Sequence, residues 1–135
     1  MDDENRQNVT VRVVAAVVEK DGRYLITRRR PTAVLPDLWE FPGGRVEEGE
    51  EDVSALRREF AERLDARIEV GSLISYVRHP YETYCVDLFL YHCMLDDVHL
   101  TCKGVQEFRW VMSSQFDDYE FTPADEESMT RLLES

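Results

Sequence analysis

A chain of 135 residues with 43% apolar and 33% charged side chains has the length of one domain and enough apolar material to bury a core without staples. Its net charge of −12 excludes ready association with a nucleic-acid duplex, and no run approaches the ~18 apolar residues of a membrane span. Three cysteines, Cys85, Cys93 and Cys102, form no CxxC pair and read as reduced, packed or inert thiols.

Residues 1–8 read as a polar tail and 9–135 as the domain. The opening "MDDENRQNVT" has no basic or apolar leader region, so the chain reads as cytoplasmic. The valine-rich stretch 9–20 predicts a strand, "DG" at 21–22 a hairpin turn, and 23–29 the returning strand. Two prolines make 30–38 a loop, and "WEFPGG" at 39–44 follows as a short strand ending in a glycine turn. From Glu50 to Leu64 the period becomes helical, with Val53, Leu56, Phe60 and Leu64 on one apolar stripe and Glu50, Glu51 and Asp52 in the first turn. Strands are expected over 67–79 and 82–95, joined by a turn at Pro80, and again over 107–112. Thr122 as N-cap and Pro123 at the first helical position open a terminal helix over 122–135. The expectation is an α+β fold, a mixed β-sheet with two helices.

Glu59 and Glu62 stand three apart on the first helix, on a strip beside the apolar stripe. Carboxylates and the backbone carbonyls of glycines 43 and 44 are the hard oxygen donors that Mg²⁺ or Mn²⁺ takes. A solvated acidic helix face explains the same glutamates, and Glu59 also makes a good pair with Arg63 one turn on.

The stretch "GGRVEEGEEDVSALRREFAERLDA" resembles the signature of Nudix hydrolases through Gly44, Glu50, Arg58, Glu59, Phe60 and Glu62, and the preceding "LWEFPGG" is similar too. The resemblance implies an α/β/α sandwich. It implies hydrolysis of a nucleoside diphosphate linked to another group, with Mg²⁺ (or Mn²⁺) held by the Gly43 carbonyl, Glu59 and Glu62. Glu50 would support the site and Arg58 would orient the carboxylates. Three residues depart from the pattern: Arg63 replaces an acid that the family uses as a metal ligand, Asp65 replaces glycine, and Ala66 a larger apolar residue. Gly104 also stands where relatives often carry a metal-binding glutamate, with Glu107, Asp96 and Asp97 as nearby substitutes.

"ITRRRP", "LWEFPGG" and "YEFTPADEESM" resemble the MutT-type nucleoside triphosphate pyrophosphohydrolases, particularly those acting on CTP or modified dNTPs. The substrate-binding candidates are therefore Arg28, Arg29, Trp39, Glu40, Phe41 and Asp125. Arg28 and Arg29 point to opposite faces of a strand, so at most one meets phosphate. Glu40 and Asp125, as acceptors, suit the amino group of cytosine or adenine, and Phe41 or Tyr84 a stacking role. Trp39 and Phe41 serve equally as core, and Asp125 as a first-turn acid. The partner expected is a small nucleotide, hydrolysed to monophosphate and pyrophosphate to clear damaged or surplus nucleotides. The alternative is a Nudix domain that has lost turnover and binds a nucleotide or protein. Oligomeric state stays open.

Overall fold

The computed structural model describes residues 9–96 and 99–134; the expected tail over 1–8 and Asp97 lie outside the described residues. The elements in chain order are β1 (Thr10–Lys20), β2 (Arg23–Arg28), β3 (Trp39–Glu40), β4 (Gly43–Arg45), α1 (Asp52–Leu64), β5 (Ile68–Pro80), β6 (Cys85–Leu95), β7 (Glu107–Val111), a 3-10 helix (Ser113–Asp118) and α2 (Pro123–Glu134).

β1 organises the sheet. It runs parallel to β6 from Thr10↔Cys85 to Val18↔Cys93 and antiparallel to β4 from Val13↔Arg45 to Ala15↔Gly43. Its far end starts the hairpin with β2, which pairs with both β3 and β7, while β5 lies antiparallel outside β6. A strand with neighbours on both sides and layers above and below reads as a near-continuous apolar run, which is why 13–18 is valine and alanine throughout. Val14, Ala16 and Val18 pack toward Leu56, Phe60 and Leu64 of α1. Ala15 and Val17 turn the other way, toward Phe41, Leu88 and the α2 residues Ala124 and Met129. Helices on both faces of a mixed sheet make the expected sandwich.

The largest differences from the sequence reading lie before β6 and at the start of α1. The 81–84 segment makes the turn before β6, with the Tyr81 N–H donating to the Tyr84 carbonyl at 2.7 Å, so β5 runs through Pro80. α1 begins at Asp52, with Glu51 at the N-cap and Glu50 in the preceding loop. Val53 is 36% exposed and Ala55 takes the inward place. The first turn is held by charge instead: Arg12 forks onto Asp52 through two 2.8 Å bonds, and the Tyr91 hydroxyl donates to the same carboxylate at 2.5 Å. Cys102 is exposed, whereas Cys93 is buried and its thiol is pushed up to about 12 by that burial.

The Arg12 contact lowers the Asp52 pKa. Its contribution is therefore full above the ordinary carboxylate value near 4 and is lost as pH falls through the lowered folded value. Asp52→Asn is expected to cost about 1–2 kcal/mol at pH 7 in urea denaturation, and the gap from wild type should narrow as the pH falls below the ordinary carboxylate value. A gap independent of pH would mean that shape and not charge holds this turn.

The other end of α1 closes on Asp65, which takes the left-handed conformation (φ 53°, ψ 41°) that glycine usually supplies. Its N–H donates to the Ala61 carbonyl at 3.2 Å, and the buried Ala66 follows with a bond to the Phe60 carbonyl at 3.4 Å. The 101–104 loop satisfies the next carbonyls: Thr101 donates to Leu64, and both Lys103 and Gly104 donate to Arg63.

Candidate active site

The paired glycines form a strand and not a turn, for a steric reason. A Cβ on Gly43 would stand 2.0 Å from the Val14 carbonyl oxygen, so only glycine lets β4 lie this close to β1. A Cβ on Gly44 would stand 2.2 Å from the Glu59 carboxyl, so the second bare backbone makes room for that acid.

Glu59 itself is 5% exposed. A carboxylate so buried needs partners, and two guanidiniums provide them. Arg58 Nη1 donates to Oε1 at 2.8 Å and Arg63 Nε to Oε2 at 2.5 Å. Arg58 is the hub of the cluster. It also grips both oxygens of Glu50, at 2.7 and 2.9 Å, the Arg45 carbonyl at 2.8 Å, and Glu62 at 3.2 Å. That grip, with a bond from the Glu47 N–H, holds the Glu50 carboxyl down at about 2 and raises the Arg58 guanidinium. The Glu62 side chain is 60% exposed. The structure thus brings Glu50, Arg58, Glu59 and Glu62 into one cluster behind Gly43 and Gly44.

On the other side of β4 opens a cleft of about 450 Å³ between the β1–β6 surface, the 30–38 loop and the start of α2. Val11, Val13 and Leu88 give it an apolar floor, and Tyr81 and Tyr84, stacked at 5.1 Å, form an aromatic wall. Its polar end holds Glu40 and Asp125. Arg29 Nη1 donates to Glu40 at 3.0 Å and its Nε to the Val34 carbonyl at 2.7 Å. Asp125 accepts the Phe41 N–H at 2.9 Å and the Thr122 hydroxyl at 2.5 Å. Burial raises Glu40, against the pull of Arg29, and burial together with the neighbouring Glu40 charge pushes Asp125 up to about 7.

Of the sequence-level candidates, Arg29, Glu40, Phe41, Gly43 and Asp125 line this cleft. Arg28 does not. It turns outward to the Asp37 carbonyl and Glu107, the alternation of a strand having sent its neighbour inward. Trp39 is core, edge-on to Tyr119. Phe41 is 1% exposed and its ring packs between Phe116 and Phe121, so it offers no open face for stacking. Tyr81, Leu35 and Thr122 were missed by sequence reasoning; two tyrosines three apart around a strand turn were the available signal for the first. Of the two acids on the strip beside the apolar stripe, Glu59 is buried and Glu62 is exposed.

The cluster as arranged does not fit a resident divalent ion. Both oxygens of Glu50 and of Glu59 accept from guanidiniums, and among the described residues no three His, Cys, Asp or Glu side chains converge on one point. Gly104 brings no carboxylate. Glu107 pairs with Arg28 and Arg109, and Asp96 lies outside the cleft, so neither replaces it.

A glycine-bordered helix of carboxylates beside a nucleotide-sized cleft, on a sandwiched mixed sheet, defines a fold and site class that comparison with known proteins identifies. The NUDIX domain profile matches residues 13–131, and the chain belongs to the Nudix family. It is 32% identical over 117 residues to a CTP pyrophosphohydrolase of Escherichia coli K12, covering 85% of each chain. It is 27% identical to an 8-oxo-dGTP diphosphatase of Haemophilus influenzae, covering 91% of each. Among solved structures it superposes on the Escherichia coli ORF135 protein with a TM-score of 0.80 at 28% identity, over 94% of this chain and 91% of that one. A MutT protein from Methanosarcina mazei shares the fold, with a TM-score of 0.82 at 19% identity over 96% and 99%. Nudix hydrolases generally use divalent metals and act on small nucleotide substrates, and no helix among the described residues is long and apolar enough to cross a membrane.

Proposed function

We propose that this chain hydrolyses a nucleoside triphosphate, CTP or a modified dNTP, to the monophosphate and pyrophosphate, as a small-molecule enzyme of the cytoplasm that does not engage nucleic-acid duplexes. The observation that carries the reading is the placement of the Arg29–Glu40–Asp125 end of the cleft next to the Gly43–Gly44 strand, with the Arg58-organised carboxylates directly behind. The likeness to the CTP pyrophosphohydrolase supports the substrate class.

In this reading the base lies on the apolar floor against Tyr81 and Tyr84, and Glu40 and Asp125 read its edge. The polyphosphate runs toward Gly43 and Gly44. Water attacks a phosphorus in line, the α–β phosphoanhydride bond breaks with its electron pair on the leaving group, and the water's proton is lost to solvent, leaving monophosphate and pyrophosphate. Glu59 and Glu62 would orient the water, with Glu50 and Arg58 keeping them in place. Mg²⁺ or Mn²⁺ would be held at Glu59 only once a guanidinium had released one of its oxygens, and would then screen phosphate charge. The same saturation favours a second reading, a nucleotide-binding domain without turnover.

Incubation with a panel of dNTPs and NTPs, with Mg²⁺ or Mn²⁺, separates the two. Pyrophosphate release that Glu59→Gln lowers about 100-fold supports hydrolysis. Thermal protection by nucleotide without any product supports binding alone.

A further inference from the structure

Arg63 belongs to α1 yet lines the cleft, and among the described residues no other α1 side chain does. Among the described residues its guanidinium is hydrogen-bonded at one corner. Nε donates to Glu59, while Nη1 stands 3.9 Å from Glu40 Oε2, beyond hydrogen-bond reach. Among the described residues neither terminal nitrogen donates to a protein atom, and the side chain is 31% exposed. A planar cation anchored through Nε, with its outer edge open, presents the fork that matches two phosphate oxygens.

The position is built and not incidental. The Arg63 carbonyl accepts from Lys103 and Gly104, both at 3.0 Å. A Cβ on residue 104 would come within 3.1 Å of both Cα and Cγ of Arg63. The two positions at which this chain lacks its family's acids are therefore in contact: the glycine lets the 101–104 loop close on the helix end that carries the arginine. An acid lost at each position removes negative charge, and the arginine adds a fixed positive charge between Glu59 and Glu40.

We infer that the terminal nitrogens of Arg63 bind the polyphosphate of the nucleotide directly, so that nucleotide binding in this cleft does not require a divalent ion. The inference rests on the nucleotide reading above. A guanidinium neutralises phosphate charge but does not activate water as a metal would, so the inference concerns binding and not turnover.

The test is titration calorimetry with an α,β-methylene nucleoside triphosphate, whose first bridging position resists cleavage, in Mg²⁺ and in EDTA. Wild type is expected to bind in both, within about threefold. Arg63→Gln should weaken binding in EDTA by at least tenfold and Arg63→Lys by less, because one point charge replaces the fork. Arg63→Glu combined with Gly104→Glu should make binding depend on the ion, and electron paramagnetic resonance should show that this variant takes up Mn²⁺ without nucleotide. Circular dichroism of each variant establishes that it is folded. Loss of wild-type binding in EDTA, with ion-dependent hydrolysis retained, overturns this inference and leaves the proposed function standing. Arg63→Gln binding as tightly as wild type in EDTA overturns it as well. Absence of analogue binding under both conditions removes both.

Discussion

Gly43→Ala should abolish folding and Gly44→Ala should abolish activity, although the two residues are adjacent and receive the same methyl group. At Gly43 the methyl carbon would lie 2.0 Å from a backbone oxygen and 2.7 Å from the Ala15 Cα, both part of β1. Backbone in the central strand cannot yield without parting β4 from β1, and a loss above about 4 kcal/mol is expected. At Gly44 the clash is with the end of a side chain, the Glu59 carboxyl at 2.2 Å. That end can move, but only by leaving the Arg58 and Arg63 donors that hold it. Stability should fall by about 1–3 kcal/mol, the cost of disturbing a buried charged hydrogen bond. Turnover should fall as far as it does in Glu59→Gln. Urea denaturation and pyrophosphate release on both variants check this. A folded Gly43→Ala, or a Gly44→Ala with wild-type turnover, would show that β4 does not sit where these contacts place it.

This contrast bears on what a sequence can disclose. The valine-rich run of β1, the helical period after Glu50 and the Thr122–Pro123 start were legible because each depends on neighbours along the chain. The role of the glycines was half legible. Bare backbone was expected, but the reason lies in what faces it across the sheet, Val14 for one and Glu59 for the other. Val53 fits the apolar period and is nonetheless exposed, because an Arg12–Asp52 contact spanning forty residues ties that turn. Arg63 and Gly104 could be seen as two departures from a family pattern, but nothing local says that they touch. Strand alternation required Arg28 and Arg29 to diverge, and only the assembled cleft shows which of them turned inward.

Asp125 is where the assembled cleft changes the chemistry expected from the sequence. As an exposed first-turn acid it would be ionised above pH ~4. Buried beside Glu40, Arg29 and Tyr81, it is pushed up to about 7. The sign follows from proton uptake. Between about pH 4 and 7 the folded chain keeps a proton that the unfolded chain releases, so this residue costs stability progressively as pH rises and the full cost is reached above 7. Moving the carboxyl from about 4 to about 7 corresponds to at most about 4 kcal/mol. Asn at this position can still accept the Phe41 N–H and can donate to Thr122, without a charge to bury. Asp125→Asn should therefore match wild type in urea denaturation near pH 4 and exceed it by up to that amount at pH 8. Parallel stability curves would remove the buried charge from the account. The same proton governs the edge offered to a base. Ionised, Asp125 only accepts and favours an amino group; protonated, it also donates and tolerates a keto oxygen. The ratio of kcat/KM for CTP over UTP should accordingly rise between pH 6 and 8 in the wild type and rise less in Asp125→Asn, where Glu40 is the acid that remains at that edge.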